Sequence, residues 1–358
     1  MITTTTTPTI HQPNNLPSWI PLENSISETR ARIQQIHKEG TAPATIRAIR
    51  NDLNYFWSWA ELAYGISDRT YPIPVDVVES FIVDHIKGMN LRVEHALISR
   101  GVKRKNGVHK FSTVRRRISS LSMAHEANGF TFENNPTHSF RVKKLLQNSR
   151  KSTIQNGERV KKRAPITLAV LGDLLKTCES NNLADKRDAA ILLFGFSTGG
   201  RRRSEIASAL CENLNIDGTD YLYFMPESKG DREKKGVLLP VCGIAAEYLT
   251  DWVIAAGVLA GPIFRQIDRH GNVGGALSAH TINTIIKNRV GLAGYNPSQY
   301  GGHSLRAGFS TECGLQNISL ENQMMLTTHK DVKTAIDYRR PGEVLNNPAA
   351  RLADSLKK

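Results

Sequence analysis

Cysteine is scarce in this 358-residue chain. Its four cysteines, Cys178, Cys211, Cys242 and Cys313, lie far apart and form no C-x-x-C pair. That argues against a disulfide scaffold or a zinc ribbon and fits isolated reduced thiols in a cytoplasmic protein. Long apolar runs are missing too: no stretch of about 18 apolar residues occurs, so no transmembrane helix is expected. The first residues, "MITTTTTPTIHQPNNLP", lack both a basic and an apolar signal region. Residues 1–40 read as a flexible polar arm rather than a secretory signal. No P-loop pattern is present, and no carboxylate cluster of the kind that holds two metal ions. Negative charge is in short supply as well. Lys and Arg number 47 against 33 Asp and Glu, a formal net charge of +14. Such an excess favours a polyanionic partner, most often nucleic acid, less often an anionic membrane surface.

What remains is ordinary globular material. Hydrophobic residues make up 40% of the chain, and the length suits two domains. Residues 41–65 carry Ile46, Ile49, Leu53, Phe56, Trp57 and Ala60 at helical spacing, with Gly65 as a stop. Residues 75–88 repeat this with Val78, Phe81, Ile82 and Ile86 before Gly88. Residues 112–129 place Val114, Ile118 and Leu121 on one face, with Ser112 as candidate N-cap and Gly129 as stop. The segment 41–140 is therefore expected to be an all-helical domain. Residues 141–166 are polar, strongly basic and poorly periodic, and read as a linker with room for a short helix around Leu145 and Leu146.

A second pattern occupies 167–345. Thr167 is placed to cap a helix through Leu171, Leu174 and Leu175, and 185–200 is a nearly all-apolar core helix ending in glycines. "DYLYFMPES", "KGDREKK" and "GVLLPV" read as strand, turn, strand. Helices follow over 243–256, 278–289, 303–315 and 318–327. Pro341-Gly342 reads as a breaker, and 346–358 as a short Ala/Leu-rich tail. The fold class expected is mainly α with a small antiparallel β-sheet.

Several segments carry charge in unusual places. Lys103, Arg104, Lys105, Arg115, Arg116 and Arg117 cluster in the helical half, and Lys143, Lys144, Lys161 and Lys162 in the linker. Each alone could be a solvated residue; together they suit phosphate contact. "STGGRRRSEIASAL" (197–210) sets three arginines at the start of a helix, where the macrodipole disfavours cations. "GGHSLRAGFSTE" (301–312) puts His303 and Arg306 on a face otherwise filled by Leu305, Ala307 and Phe309. Lys229 sits at the hairpin tip, and "THKDVKTAIDYRRP" (328–341) supplies His329 and Tyr338. Singly, these read as a charge cluster, a turn lysine, a structural histidine and a surface tyrosine.

The ordered set Arg, Lys, His-x-x-Arg, His, Tyr resembles the tyrosine recombinase (phage integrase) family, over about 167–345. In that family the first arginine lies three residues before a glutamate, so Glu205 makes Arg202 the match. Lys229 in "SKGD" matches the hairpin lysine, with Lys234 or Lys235 as fallback. His303-Ser304-Leu305-Arg306 is the H-x-L-R box, His329 the second histidine position and Tyr338 the nucleophile. Thr328 departs from the glycine common before that histidine, and Gly200 from a common apolar residue. The N-terminal half resembles the family's core-DNA-binding domain more weakly, chiefly through "ENNPT" (133–137).

The resemblance implies a two-domain C-shaped clamp: a helical core-binding domain plus a catalytic domain. It implies a site-specific recombinase that cleaves and rejoins duplex DNA through a 3′-phosphotyrosyl intermediate, with no cofactor, metal or ATP. Arg202 and Arg306 would grip the scissile phosphate through forked hydrogen bonds, and Lys229 would protonate the leaving 5′-oxygen. His303 would take the phenol proton, with His329 bonding the phosphate or placing the phenol. Four protomers on two DNA sites and no membrane are the partners implied. The tail would pack on a neighbouring subunit or on its own domain. A type IB topoisomerase-like enzyme and a non-catalytic DNA-binding protein on the same fold stay open as alternatives.

Overall fold

A proline opens the first long helix and a glycine closes it. In the computed structural model, which describes residues 32, 35–36, 39–158, 163–180, 182–226 and 235–346, α1 spans Pro43–Tyr64. Pro43 needs no N–H at the first turn, and Gly65 takes the left-handed conformation (φ 70°) in which its N–H reaches the Glu61 carbonyl and the Ile66 N–H that of Ala60. The chain divides into two compact units, 1–160 and 161–358.

The first unit is helical. After α1 come α2 (Val75–Lys87), α3 (Leu91–Ser99), α4 (Phe111–Ala127) and α5 (Phe140–Gln155), with a 3₁₀ turn at Pro136–His138. Val78, Phe81 and Ile82 of α2 pack against Tyr55, Phe56 and Trp59 of α1, joined by Leu97, Leu121 and Val142. The aromatic rings meet edge to face, as their quadrupoles favour. Short helix α3, absent from the sequence reading, is capped by the Asn90 side chain accepting from the Arg92 N–H. Ser112 does not cap α4: the helix starts one residue earlier, with Lys110 at the N-cap.

The linker expectation needs correction over most of its length. Residues 140–155 are α5, capped by Ser139 accepting from the Val142 N–H. Only a narrow stripe, Val142 with Leu145 and Leu146, meets the core. The remaining faces are basic and polar, so the helical period is faint in the sequence.

The second unit is built around α7 (Leu183–Ser197), which buries Ile191, Leu192 and Phe194 on all sides. Around it lie α6 (Leu168–Lys176), α8 (Arg203–Ala207), α9 (Ile244–Ala255), α10 (Ala279–Leu292), α11 (Gly302–Leu315), α12 (Leu320–Thr327) and α13 (Val332–Asn346). Strands β1 (Leu214–Asp217), β2 (Asp220–Met225) and β3 (Val237–Val241) form an antiparallel sheet in that order. Phe224 pairs with Leu238 and Tyr223 with Leu239, so Tyr223, Met225, Leu239 and Val241 enter the core. A second hairpin joins β4 (Arg265–Ile267) to β5 (Val273–Ala276). β1, β4 and β5 are too short, at three or four residues, to show alternation in sequence. Pro341-Gly342 is no breaker, since α13 runs through both to Asn346. Its first turns pack along α11, where Ala335 is buried. That tertiary support outweighs the roughly 3 kcal/mol preference against an interior proline. The tail reading over 347–358 and nearly all of the N-terminal arm lie outside the described residues. Among the described residues no helix is long and apolar enough to cross a membrane.

Candidate active site

Two glycines allow the site to close. Gly199 (φ 95°) and Gly200 (φ 70°) end α7 in left-handed conformations. A Cβ on Gly199 would overlap the Leu326–Thr327 backbone, and one on Gly200 would overlap the backbone of Arg306. Glycine at position 200 is therefore the requirement of a close approach. It brings the Arg201–Arg202 segment against α11 and against the end of α12.

Arg202 occupies the N-cap of α8. Its backbone N–H donates to Glu205 Oε2 (3.0 Å) and its Nη1 to Glu205 Oε1 (2.5 Å). Glu205 thus fixes both the helix start and the guanidinium. Arg306, on the second turn of α11, is buried. Its Nε donates to His329 Nε2 (3.2 Å), its Nη1 to the Gly200 carbonyl (3.4 Å) and its Nη2 to the Thr327 carbonyl. His329 follows Thr328, which takes φ 56° at the C-cap of α12. This is a left-handed conformation that favours glycine, so Thr328 bears a conformational cost. Tyr338, on α13, stacks on His329 with ring centroids 5.7 Å apart and planes inclined by 20°. His303 lies on the first turn of α11, exposed.

The electrostatics follow from this packing. Burial, then Arg202 and Arg201, push the Arg306 guanidinium down to about 10. Burial, then Arg306, Arg202 and Arg201, push His329 down to about 4. His329 is neutral at physiological pH, and because Nε2 accepts from Arg306 its proton sits on Nδ1. That Nδ1 is buried with no hydrogen-bond partner among the described residues. Of Arg201, Arg202 and Arg306, the first two ion-pair with a single carboxylate, Glu205. No carboxylate ion-pairs with Arg306 among the described residues. The pocket is short of negative charge and offers N–H donors, which suits an incoming anion.

Arg202, Arg306, His329 and Tyr338 are thus brought together, with His303 on the same helix as Arg306. Lys229 and Lys234 lie outside the described residues, as do Lys161 and Lys162; Lys235 precedes β3. Three of the cations expected to meet phosphate make ion pairs within the first unit, Arg116 while still half exposed. Lys103, 3% exposed, ion-pairs with Glu94 (2.7 Å) and donates to the Gly107 carbonyl (2.5 Å). Arg116 and Arg117 both pair with buried Asp52, and Arg117 lies 3.2 Å over the Tyr55 ring. A charge run does not show which members fold back onto a carboxylate far away in sequence. Arg104, Lys105, Arg115, Lys143 and Lys144 are exposed, with the Lys143 ammonium 4.6 Å from the Phe132 ring. Sequence reasoning used Glu205 only as a marker of spacing and missed its grip on Arg202. Among the described residues no group of three or more His, Cys, Asp or Glu side chains is placed to hold a metal ion.

Comparison with known proteins adds independent findings. The model of the phage integrase family matches residues 166–343. The chain is 32% identical over 251 residues to the integrase/recombinase xerD homolog of Selenomonas ruminantium, covering 67% of this chain and 71% of that protein. The crystal structure of the XerH site-specific recombinase bound to difH substrate aligns with a TM-score of 0.56 at 14% identity, covering 94% of this chain and 90% of that one. A lambda integrase dimer bound to a core site aligns with a TM-score of 0.53 at 15% identity, covering 89% and 95%. Likeness at such identities reports a shared fold: mainly helical, with small antiparallel sheets.

Proposed function

The chain belongs to the phage integrase family of tyrosine recombinases, and from that premise we propose that it is a site-specific DNA recombinase working through a 3′-phosphotyrosyl intermediate. The relatives solved with recombination-site DNA support duplex DNA as its partner. The observation that carries the reading is the pocket itself: a tyrosine stacked on an imidazole that is bonded to a buried guanidinium, beside a second guanidinium.

The chemistry balances without an external energy source. The Tyr338 oxygen forms a bond to the scissile phosphorus as the bond from phosphorus to the 5′-oxygen breaks. The phenol proton leaves to a base, and the departing 5′-oxygen takes a proton. A 5′-hydroxyl from a second duplex reverses the step and joins the strands. Negative charge grows on the nonbridging oxygens during displacement, and preoriented donors act on that growth. Arg202 and Arg306 supply those donors, each held before substrate arrives. The neutral His329 supplies its Nδ1–H to a phosphate oxygen and its ring face to the phenol. His303 takes the phenol proton and Lys229 protonates the leaving oxygen. Arg104, Lys105, Arg115, Lys143 and Lys144 hold DNA phosphates. By analogy four protomers meet on two sites.

The test is a covalent adduct. Wild-type protein mixed with DNA and stopped with detergent should carry DNA at its tyrosine, and Tyr338→Phe should carry none. Sequencing the trapped DNA identifies the site, and two copies on one plasmid then recombine. An undiminished adduct in Tyr338→Phe would overturn the reading. Relaxation of supercoils with no exchange between two sites would instead indicate a topoisomerase.

A further inference from the structure

The side chain adjacent to Arg202 is buried deeper. Arg201 is 0% exposed, a whole guanidinium inside the second unit. Burying such a cation is costly unless its N–H groups and charge are used. Its Nη2 donates to the Leu326 carbonyl at the end of α12, just ahead of His329. Its Nη1 points at Met225 Sδ (3.7 Å), the last residue of β2, after which the chain continues toward Lys229. The same Nη1 lies 3.8 Å from Glu205 Oε2, the carboxylate that also holds Arg202. The Arg201 backbone N–H is anchored to the Gly195 carbonyl at the end of α7 (2.6 Å).

These contacts are not what core stability alone would select. Arg201 Nε is buried with no hydrogen-bond partner among the described residues. An apolar side chain of similar volume would carry no unsatisfied polar atom of its own, and such replacements of buried ions are often neutral or stabilising. What an apolar residue cannot do is join three segments and place a fixed positive charge behind His329.

We infer that Arg201 is a positioning residue that ties the Arg202 segment, the β2 end at Met225 and the α12 end just before His329 into one reactive geometry. This rests on the recombinase reading. The groups facing His329 among the described residues are Arg306, Arg202, Arg201 and Asp331, with Tyr338 stacked on it. Arg201 is among the cations that keep the imidazole neutral, so its removal relaxes a restraint as well as a contact. The Leu326 carbonyl loses its donor, and the backbone just before His329 is freed to shift. Displacing a reactive group by about 1 Å costs up to ~10²-fold in rate.

The test uses the full chain and DNA recovered by wild-type trapping. Arg201→Met fills the space without the charge. DNA affinity should stay within about twofold while the rate of adduct formation falls ~10²-fold, a split that a loss of folding would not produce. Isotope-labelled histidine followed by NMR, with His329→Gln for assignment, should show the His329 pKa rising from about 4 in Arg201→Met. Arg201→Lys keeps the charge but not the fork, so His329 should titrate as in wild type while the rate recovers only in part. A wild-type adduct rate in Arg201→Met, or an unmoved His329 titration, overturns the proposal. Should Arg201→Met fail to fold, Arg201→Lys decides: tenfold or greater loss with intact DNA binding supports the tie, and a rate within about twofold of wild type refutes it. If wild-type protein forms no adduct, the recombinase reading fails, while the histidine titration still reports on Arg201.

Discussion

Each of the two units holds an Arg–His–Tyr cluster. In the first, Arg117 lies over the Tyr55 ring, and the Tyr55 hydroxyl lies 3.1 Å from His109 Nε2 and 2.9 Å from His85 Nε2. In the second, Arg306 bonds His329, which stacks on Tyr338. The residue types match, and the surroundings differ. Buried Asp52 pairs with Arg117 and with half-exposed Arg116, so the Arg117 guanidinium has a carboxylate partner within the fold. Arg306 has backbone carbonyls and a neutral imidazole instead, and its charge is left for something outside the fold. A guanidinium beside a tyrosine is thus structural or reactive according to where its counter-charge resides.

The sharpest way to break this contrast is to unbalance the first cluster. Asp52→Ala strands Arg117 in a buried position, and removing one partner of a buried pair costs about 3–5 kcal/mol. Denaturant unfolding of the first unit should show that loss. A change below 1 kcal/mol would mean that Asp52 does not balance the cluster. In the second cluster the matching change is Arg306→Lys, which keeps the charge and loses the fork. Adduct formation should fall ~10²–10³-fold, the cost of one preoriented donor, with a smaller loss of stability than in Asp52→Ala. Equal loss of stability in both variants would erase the distinction.

Acid sharpens the comparison more gently. Burial pushes His85 down to about 3 and His109 to about 4 in the first unit, and His329 to about 4 in the second. These histidines take up protons near pH 6.5 when unfolded but resist them when folded. The stability they contribute is complete above about pH 6.5 and falls as the pH drops toward 4. Burial lowers His125 in the first unit too, so with these three groups set against His329 the first unit should open first, seen as earlier amide exchange in α1 and α2 than in α7 and α9. The reverse order would contradict the burial described here. The smallest effect belongs to the surface. Arg104→Ala with Lys105→Ala should lower the slope of log affinity against log salt by about 2, with stability unchanged. Lys103→Ala should do the opposite, costing stability through Glu94 and leaving the slope alone.

Legibility in the sequence followed the range of the interactions. Helices α1, α2, α7 and α11 were readable because one turn of apolar spacing is a local property, and their caps are a residue away. β4 and β5 were not, because pairing gives three- and four-residue strands their identity. The set Arg202, Arg306, His329 and Tyr338 was legible through the family resemblance, in whose pattern Glu205 marks Arg202 and the H-x-L-R box marks Arg306. The fate of Lys103, Arg116 and Arg117 was not, because Arg116 and Arg117 answer to Asp52, more than sixty residues earlier.

The sequence by itself determined the cationic character of the chain and its helical grain, carried by composition and short spacings, and the order of the residue types that the family resemblance singles out. Only the tertiary structure decided which cations are neutralised and which are left facing an empty charge. It also decided that Arg201 turns inward while Arg202 turns to Glu205. The reason is physical: the energy of a charge depends on what surrounds it in space, and neighbours in space come from segments far apart along the chain.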